Sequence, residues 1–145
     1  MLKVCIPYTN YAREQNDFDY LLSNFQVDEI FVICPNGEPL PDASNVVGQG
    51  TRIEYMYDLP QDYTHVLLTP QNGYEYKGNE SLVSFVHPAG DVVYIVGSNH
   101  VHTTSDLEFG KDPDHLVYIP TDTADNMFNY VALAICLYDR KVKNG

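Results

Sequence analysis

Short apolar runs that alternate with stretches of helical periodicity constrain the fold of this chain more than any other feature. Residues 2–8 and 29–35 are rich in β-branched and aromatic side chains, which favours strands. Between them, residues 17–25 carry apolar side chains at helical spacing. The N-terminal part of the chain therefore predicts a strand, a helix and a second strand.

The rest of the chain continues this alternation. Thr51 is expected to cap a short helix that carries Ile53, Met56 and Tyr57 and ends before Pro60. The other predicted elements are strands at residues 65–69, 92–96 and 116–119, and helices at residues 81–87 and 126–140. Continuous apolar strands alternating with helices are typical of parallel sheets. The sequence thus predicts one α/β domain over residues 1–145, with a mostly parallel sheet covered by helices on both faces.

Cysteine and histidine spacing argues against disulfides and metal binding. Cys5, Cys34 and Cys136 each lie in an apolar run, without Cys-x-x-Cys spacing, which predicts buried reduced thiols. His100 and His102 stand in a polar stretch with no further Cys or His nearby, so a solvated loop is favoured over a metal pair. No run approaches the about 20 apolar residues of a membrane span, and the N-terminus lacks a signal-peptide pattern. We expect a soluble cytoplasmic protein with no membrane segment and no metal.

The charge of the chain weighs against a large nucleic-acid interface. Eight Lys and Arg residues oppose twenty Asp and Glu, giving a net charge of −12. Nucleic-acid binding depends on neutralising phosphates. The cations outside the first strand are Arg13, Arg52, Lys77, Lys111, Arg140, Lys141 and Lys143. No phosphate-loop, dinucleotide-binding or serine-hydrolase motif occurs, so none of these three classes is supported.

The loops that follow the predicted strands are the expected places for chemistry, because ligands of open α/β sheets bind outside the carboxyl ends of the strands. These loops are residues 8–13, 35–38, 69–73, 97–100 and 120–129. The helix after the last loop is apolar nearly all round. Such a helix must be buried nearly all round, which favours burial both in the core and in a subunit interface.

Three motifs in the last third of the chain resemble the SPOUT class of RNA methyltransferases, in particular its ribose 2′-O-methylating branch. The apolar run 92–96 is followed by Gly97-Ser98-Asn99, where that branch has a strand ending in Gly-Asn-Glu. Ile119-Pro120 matches the Ile-Pro pair of the family, and Asn129 follows Pro120 by nine residues, as the helix-start asparagine does there. The helix body 131–138 has the same pattern of small and branched residues.

This resemblance implies a C-terminal trefoil knot, a homodimer built on the last helix, and S-adenosylmethionine bound among three loops. It implies methylation of a ribose hydroxyl of tRNA or rRNA. Arg13, near the end of the first strand, takes the place of the arginine that activates the hydroxyl, and Asn129 is the second candidate catalytic residue. The implied cofactor-binding residues are Leu68, Thr69, Pro70, Gly73, Val96, Gly97, Ser98, Asn99, Ile119, Pro120, Thr121, Met127 and Asn129.

Departures from the family pattern keep two other functions open. The family glutamate is absent at Ser98-Asn99-His100, and Thr121, Thr123 and Met127 replace residues of the last two motifs. Together with the acidity, these changes favour a non-catalytic dimeric module that binds a protein partner through an acidic surface. A flavodoxin-like binder of small molecules is the third reading, because a fold does not determine a function.

Overall fold

A computed structural model describes residues 2–45, 50–69, 80–96, 113–123 and 127–144. In chain order the elements are β1 (Leu2–Pro7), α1 (Tyr8–Arg13), α2 (Gln15–Ser23), β2 (Glu29–Ile33), β3 (Ser44–Asn45), β4 (Arg52–Met56), β5 (Thr64–Thr69), β6 (Glu80–Ser81), β7 (Val92–Val96), β8 (His115–Tyr118) and α3 (Asn129–Asn144). In these ranges, no helix has both the length and the apolar character needed to span a bilayer.

The eight strands form one sheet in the order β3-β4-β2-β1-β7-β5-β8-β6. Every pair is parallel except that of β3 with β4. The central strands β1 and β7 are buried along their whole length, as expected for strands with neighbours on both sides and apolar runs. The predicted mostly parallel α/β sheet is confirmed.

All three helices pack on one face of this sheet. Successive side chains of a strand lie on opposite faces, and the even-numbered positions of β1 and β7 join a cluster that includes Phe18 of α2 and Leu133 of α3. Tyr11 of α1 is 2% exposed in the same cluster. α3 contacts both α2 and β7, so it packs on the same face as the other helices.

The opposite face carries a second cluster, built from residues such as Cys5, Phe31 and Ile95. Leu59 and Tyr63, from the connection between β4 and β5, pack on it. Within the described ranges, helices therefore cover only one of the two faces that the sequence led us to expect.

Two predicted helices are wrong. The segment after Thr51 is strand β4, because Ile53 and Tyr55 follow the two-residue period of a strand and pack into the first cluster beside β2. The predicted helix at residues 81–87 is instead strand β6 followed by successive turns, in which Phe85 N donates to the carbonyl of Leu82 at 3.3 Å. A stretch this short before Pro88 would form too few helical hydrogen bonds to offset the free-energy cost of helix nucleation.

The last helix and the cysteines follow their predictions more closely. α3 begins at Asn129, three residues later than expected, and runs to Asn144. Cys5, Cys34 and Cys136 are buried free thiols, as predicted from their apolar surroundings. Burial raises the pKa of Cys136 to about 12, so it stays a protonated thiol.

Candidate active site

The carboxyl ends of β7, β5 and β8 lie side by side at one edge of the sheet. Leu68 of β5 pairs with Val96 of β7, and Thr69 pairs with Tyr118 of β8. The Thr69 hydroxyl donates to the carbonyl of Val117 at 3.4 Å. Val96 is buried and Leu68 is half-buried, so the structure brings together the strand ends from which the three candidate loops leave.

The loop after β8 supplies both apolar and polar groups. Ile119 is half-buried and packs against the main core cluster, whereas Pro120 is exposed. The Thr121 hydroxyl donates to the carbonyl of Thr123 at 2.9 Å. This internal bond shapes the loop and leaves the Thr121 backbone at the surface.

The first turn of α3 approaches the site from the helix-covered face. Asn129 is half-buried at the start of the helix, and Met127 is half-buried just before it. The amides of Val131 and Ala132 both donate to the carbonyl of Phe128, at 3.0 and 3.1 Å. Tyr130 anchors this turn by meeting Phe18 edge to face at 6.1 Å.

Five of the predicted cofactor-binding residues lie outside the described residues. They are Pro70, Gly73, Gly97, Ser98 and Asn99. Their positions stay predictions from the sequence, as do those of His100, His102, Lys77 and Lys111.

Arg13 lies on the β1 side of the same edge. It is the last residue of α1, which follows β1 directly, and β1 is the neighbour of β7. Its side chain is exposed, and among the described residues no carboxylate approaches it within ion-pair distance. Glu14 and Asp17, its acidic neighbours in the sequence, do not form an ion pair with it in the structure.

Sequence reasoning passed over Asn10, one turn before Arg13. This residue is only 6% exposed, although asparagine is mostly a surface residue. The available signal was its place at the carboxyl end of a buried strand. Asn10 is therefore a nearly buried polar residue at this edge of the sheet.

A second polar cluster, which the sequence did not indicate, lies inside the core. The ring of His87 is fully buried, with Nδ1 at 2.7 Å from the Tyr94 hydroxyl and Nε2 at 2.7 Å from Oδ2 of Asp139. Lys143 Nζ contacts the same carboxylate oxygen at 2.9 Å. Burial lowers the pKa of His87 against the opposing effect of Asp139. Contacts with His87 and Lys143 outweigh burial and lower the pKa of Asp139.

One surface depression, of about 450 Å³, lies away from all these groups. It is lined by Leu22, Ser23, Gln26, Val27, Asp28, Gly50 and Thr51. These residues precede β2 and β4, so the depression is at the amino edge of the sheet. Parallel α/β sheets bind ligands at the other edge, and we do not assign a function to it.

Solved structures of RNA methyltransferases share this fold. A protein from a study of the 2-OH methylation of C/U34 on tRNA superposes with a TM-score of 0.67 and 13% identity, over 99% of this chain and 96% of its own. A Porphyromonas gingivalis protein assigned to the TrmH family of RNA methyltransferases gives 0.67 and 11%, over 96% of this chain and 58% of its own.

A third structure was solved with AdoMet bound. This rRNA methyltransferase from Sinorhizobium meliloti matches with a TM-score of 0.61 and 11% identity, over 97% of this chain and 56% of its own. The chain thus spans the whole of one such protein and little more than half of two others. No family model matches the sequence, and no curated protein is similar to it. The chain has the fold shared by these methyltransferases, as its C-terminal motifs predicted.

Proposed function

We propose that this protein is an S-adenosylmethionine-dependent RNA methyltransferase that methylates a ribose hydroxyl of tRNA or rRNA. The observation that carries the proposal is the meeting of the carboxyl ends of β7, β5 and β8 at one edge. Arg13, which has no ion-pair partner among the described residues, follows β1 on the neighbouring side of β7. Solved structures with this fold include an AdoMet-bound rRNA methyltransferase and a protein from a study of tRNA 2-OH methylation. The sequence motifs and these structural neighbours both support the proposal of methyl transfer to RNA.

The residues at this edge fit such a cofactor. S-adenosylmethionine needs an apolar slot with a few directional polar groups. Val96, Leu68 and Ile119 offer the apolar surface, and Thr121 and Asn129 offer polar groups beside it. We propose that these five residues line the pocket together with Thr69, Pro70, Gly73, Gly97, Ser98, Asn99, Pro120 and Met127.

When bound, the cofactor supplies a methyl group that is already activated by a sulfonium. As the bond from the acceptor oxygen to the methyl carbon formed and the methyl–sulfur bond broke, the hydroxyl proton would pass to a base or to water, so the protein must orient the hydroxyl and stabilise its alkoxide form. Arg13 suits this role because a guanidinium stays protonated and donates in a fixed fork. We propose that Arg13 donates to the acceptor oxygen, and that Asn129 orients the methyl donor.

Homodimerisation through α3 belongs to the same proposal. Six of the nine exposed large hydrophobic side chains in the described ranges lie on or just before α3 or in the 82–86 segment beside it: Val83, Val86, Phe128, Ile135, Tyr138 and Val142. The attachment of that segment to α3 is direct, because Lys143 Nζ donates to the carbonyls of Leu82 and Phe85. A concentrated apolar patch of this kind marks an interaction site.

We further propose that the C-terminal part is knotted and that the protein acts in the cytoplasm. β7 lies between β1 and β5, although β5 precedes it in the chain, and β8 then pairs on the far side of β5. This strand order is compatible with the knot that the sequence motifs imply, and the knot stays part of the proposal. Three buried free thiols are consistent with a reducing compartment.

A non-catalytic protein-binding module is the alternative that the net charge of −12 favours. Calorimetry with S-adenosylmethionine tests the enzyme first, because only the enzyme requires cofactor binding. We expect Asn129→Ala to weaken binding and Asn144→Ala, at the exposed far end of the same helix, to leave it unchanged. Transfer of a labelled methyl group to bulk RNA is the second measurement. Cofactor binding without any transfer would favour the module.

A further inference from the structure

His87, Tyr94 and Asp139, here called the His87 clasp, join three separate parts of the chain inside the core. His87 precedes β7, Tyr94 is in the middle of β7, and Asp139 is on α3. Both rings are fully enclosed. A carboxylate only accepts hydrogen bonds, so His87 Nε2–H donates to Asp139 and the Tyr94 hydroxyl donates to Nδ1.

Among the described residues, the other charged groups that contact the clasp come from α3. Lys143 contacts Asp139 at 2.9 Å, and Arg140 lies beside Tyr94. Phe85 meets the His87 ring edge-on at 5.0 Å and separates it from His115 of β8. The clasp is thus a satisfied polar chain in an otherwise apolar layer.

A buried polar chain of this kind is a costly way to hold a helix. Apolar side chains of similar volume often stabilise a core as well or better, because they avoid the loss of hydration. Hydrogen bonds differ from apolar contacts in being directional. They fix both the rotation of α3 about its axis and its position along β7, which sliding apolar surfaces do not.

The two elements that the clasp joins each carry residues that we assigned above to the proposed cofactor site. α3 carries Asn129 in its first turn, and β7 ends at Val96, two residues beyond Tyr94. We propose that His87 is a positioning residue that sets the register of α3 on β7 and so places Asn129 opposite the end of β7. The consequence for cofactor affinity rests on the function proposed above, whereas the consequence for the register does not.

The test replaces the polar chain by apolar side chains in the variant His87→Leu/Tyr94→Phe/Asp139→Leu. We expect its thermal midpoint to stay within about 4 °C of the wild type. Amide exchange of Val131 and Ala132 in cofactor-free protein should be at least about tenfold faster, because the first turn loses its fixed register. The affinity for S-adenosylmethionine should fall between about tenfold and a hundredfold, the cost of a displaced binding group.

Two further variants separate positioning from stability. Ile33→Ala removes a buried side chain on the opposite face, so it should lower the midpoint and leave the exchange of Val131 and Ala132 unchanged. His87→Gln keeps a donor and an acceptor at this position and should restore most of the protection. If the triple variant fails to fold, Tyr94→Phe alone removes one hydroxyl and provides the same comparison.

The two readouts also separate the clasp from the function. Unchanged exchange at Val131 and Ala132 in the clasp variants would overturn the positioning role, whatever the protein binds. Unchanged S-adenosylmethionine affinity in a variant with faster exchange would overturn the link to the cofactor site. A wild type that binds no S-adenosylmethionine would overturn the proposed function, while the exchange experiment still decides the role of His87.

Discussion

Acidification should destabilise the protein through His87. Burial lowers the pKa of this histidine below its usual value near 6.5, although Asp139 opposes the effect. Between the usual and the native pKa, the unfolded chain binds a proton that the folded chain does not. The contribution of His87 is therefore fully present above pH 6.5 and is lost as the pH falls from there toward the native pKa. A difference of one bound proton between the folded and unfolded chains changes the free energy of unfolding by at most about 1.4 kcal/mol per pH unit.

Urea unfolding at pH 7.5, 6.5 and 5.5 measures this slope. Asp139 does not contribute to the slope in this range. Its pKa is lowered in the folded chain, so its own effect on stability appears at pH values below 3.8. We expect the wild type to lose stability on going below pH 6.5, and His87→Leu to lose less over the same range. The control Asn144→Ala, at the exposed end of α3, removes no titratable group and should keep the wild-type slope. Equal slopes in the wild type and His87→Leu would refute the reasoning.

Three further predictions concern α3 and the candidate site. Leu133→Ala should lower the free energy of unfolding by about 3 kcal/mol, since Leu133 is fully buried, whereas Lys141→Ala, at an exposed position of the same helix, should change it by less than about 0.5 kcal/mol; urea denaturation compares them. Arg13→Ala should reduce methyl transfer far more than cofactor affinity, and full transfer activity would discard its role. Tyr138→Asp, at a position 63% exposed, should convert a dimer into a monomer in light scattering, and a wild type that is already monomeric at micromolar concentration would refute the dimer.

Strands with continuous apolar residues could be predicted from the sequence because both of their faces are buried. β1, β2, β5, β7 and β8 all lie within two residues of their predicted bounds. β4 could not be predicted, because a partly buried strand of five residues carries too few apolar positions to distinguish a period of two residues from one of 3.6. Its assignment depends on β2, which pairs with it through the whole strand, and pairing is not visible in a local pattern.

From the sequence we could predict only those parts of the candidate site that depend on residues close together in the chain. Strand ends and the loop at Ile119 follow from local sequence, and their meeting at one edge follows from parallel topology. The contact of His87 with Asp139 spans 52 residues, and no spacing rule connects them. Asn10 was equally hidden, because its burial depends on how α1 folds back on β1 and β2.

The ion pairs in the structure reduce further the number of cations with which this acidic chain could bind an RNA substrate. Arg52 lies near Glu29 and Glu54, and Lys143 is held by Asp139 and two carbonyls. Cations that already have partners within the chain add little to phosphate binding. In the described ranges this leaves Arg13 at the candidate site and Lys141 near the far end of α3, because Arg140 already has a hydrogen bond with Tyr94. The described part of one subunit can therefore neutralise only a few phosphates, and in the proposed dimer an arrangement that aligns the α3 end of one copy with Arg13 of the other would double the charge available to one RNA. Dimerisation would then be a condition for substrate binding as well as for burial of the apolar face.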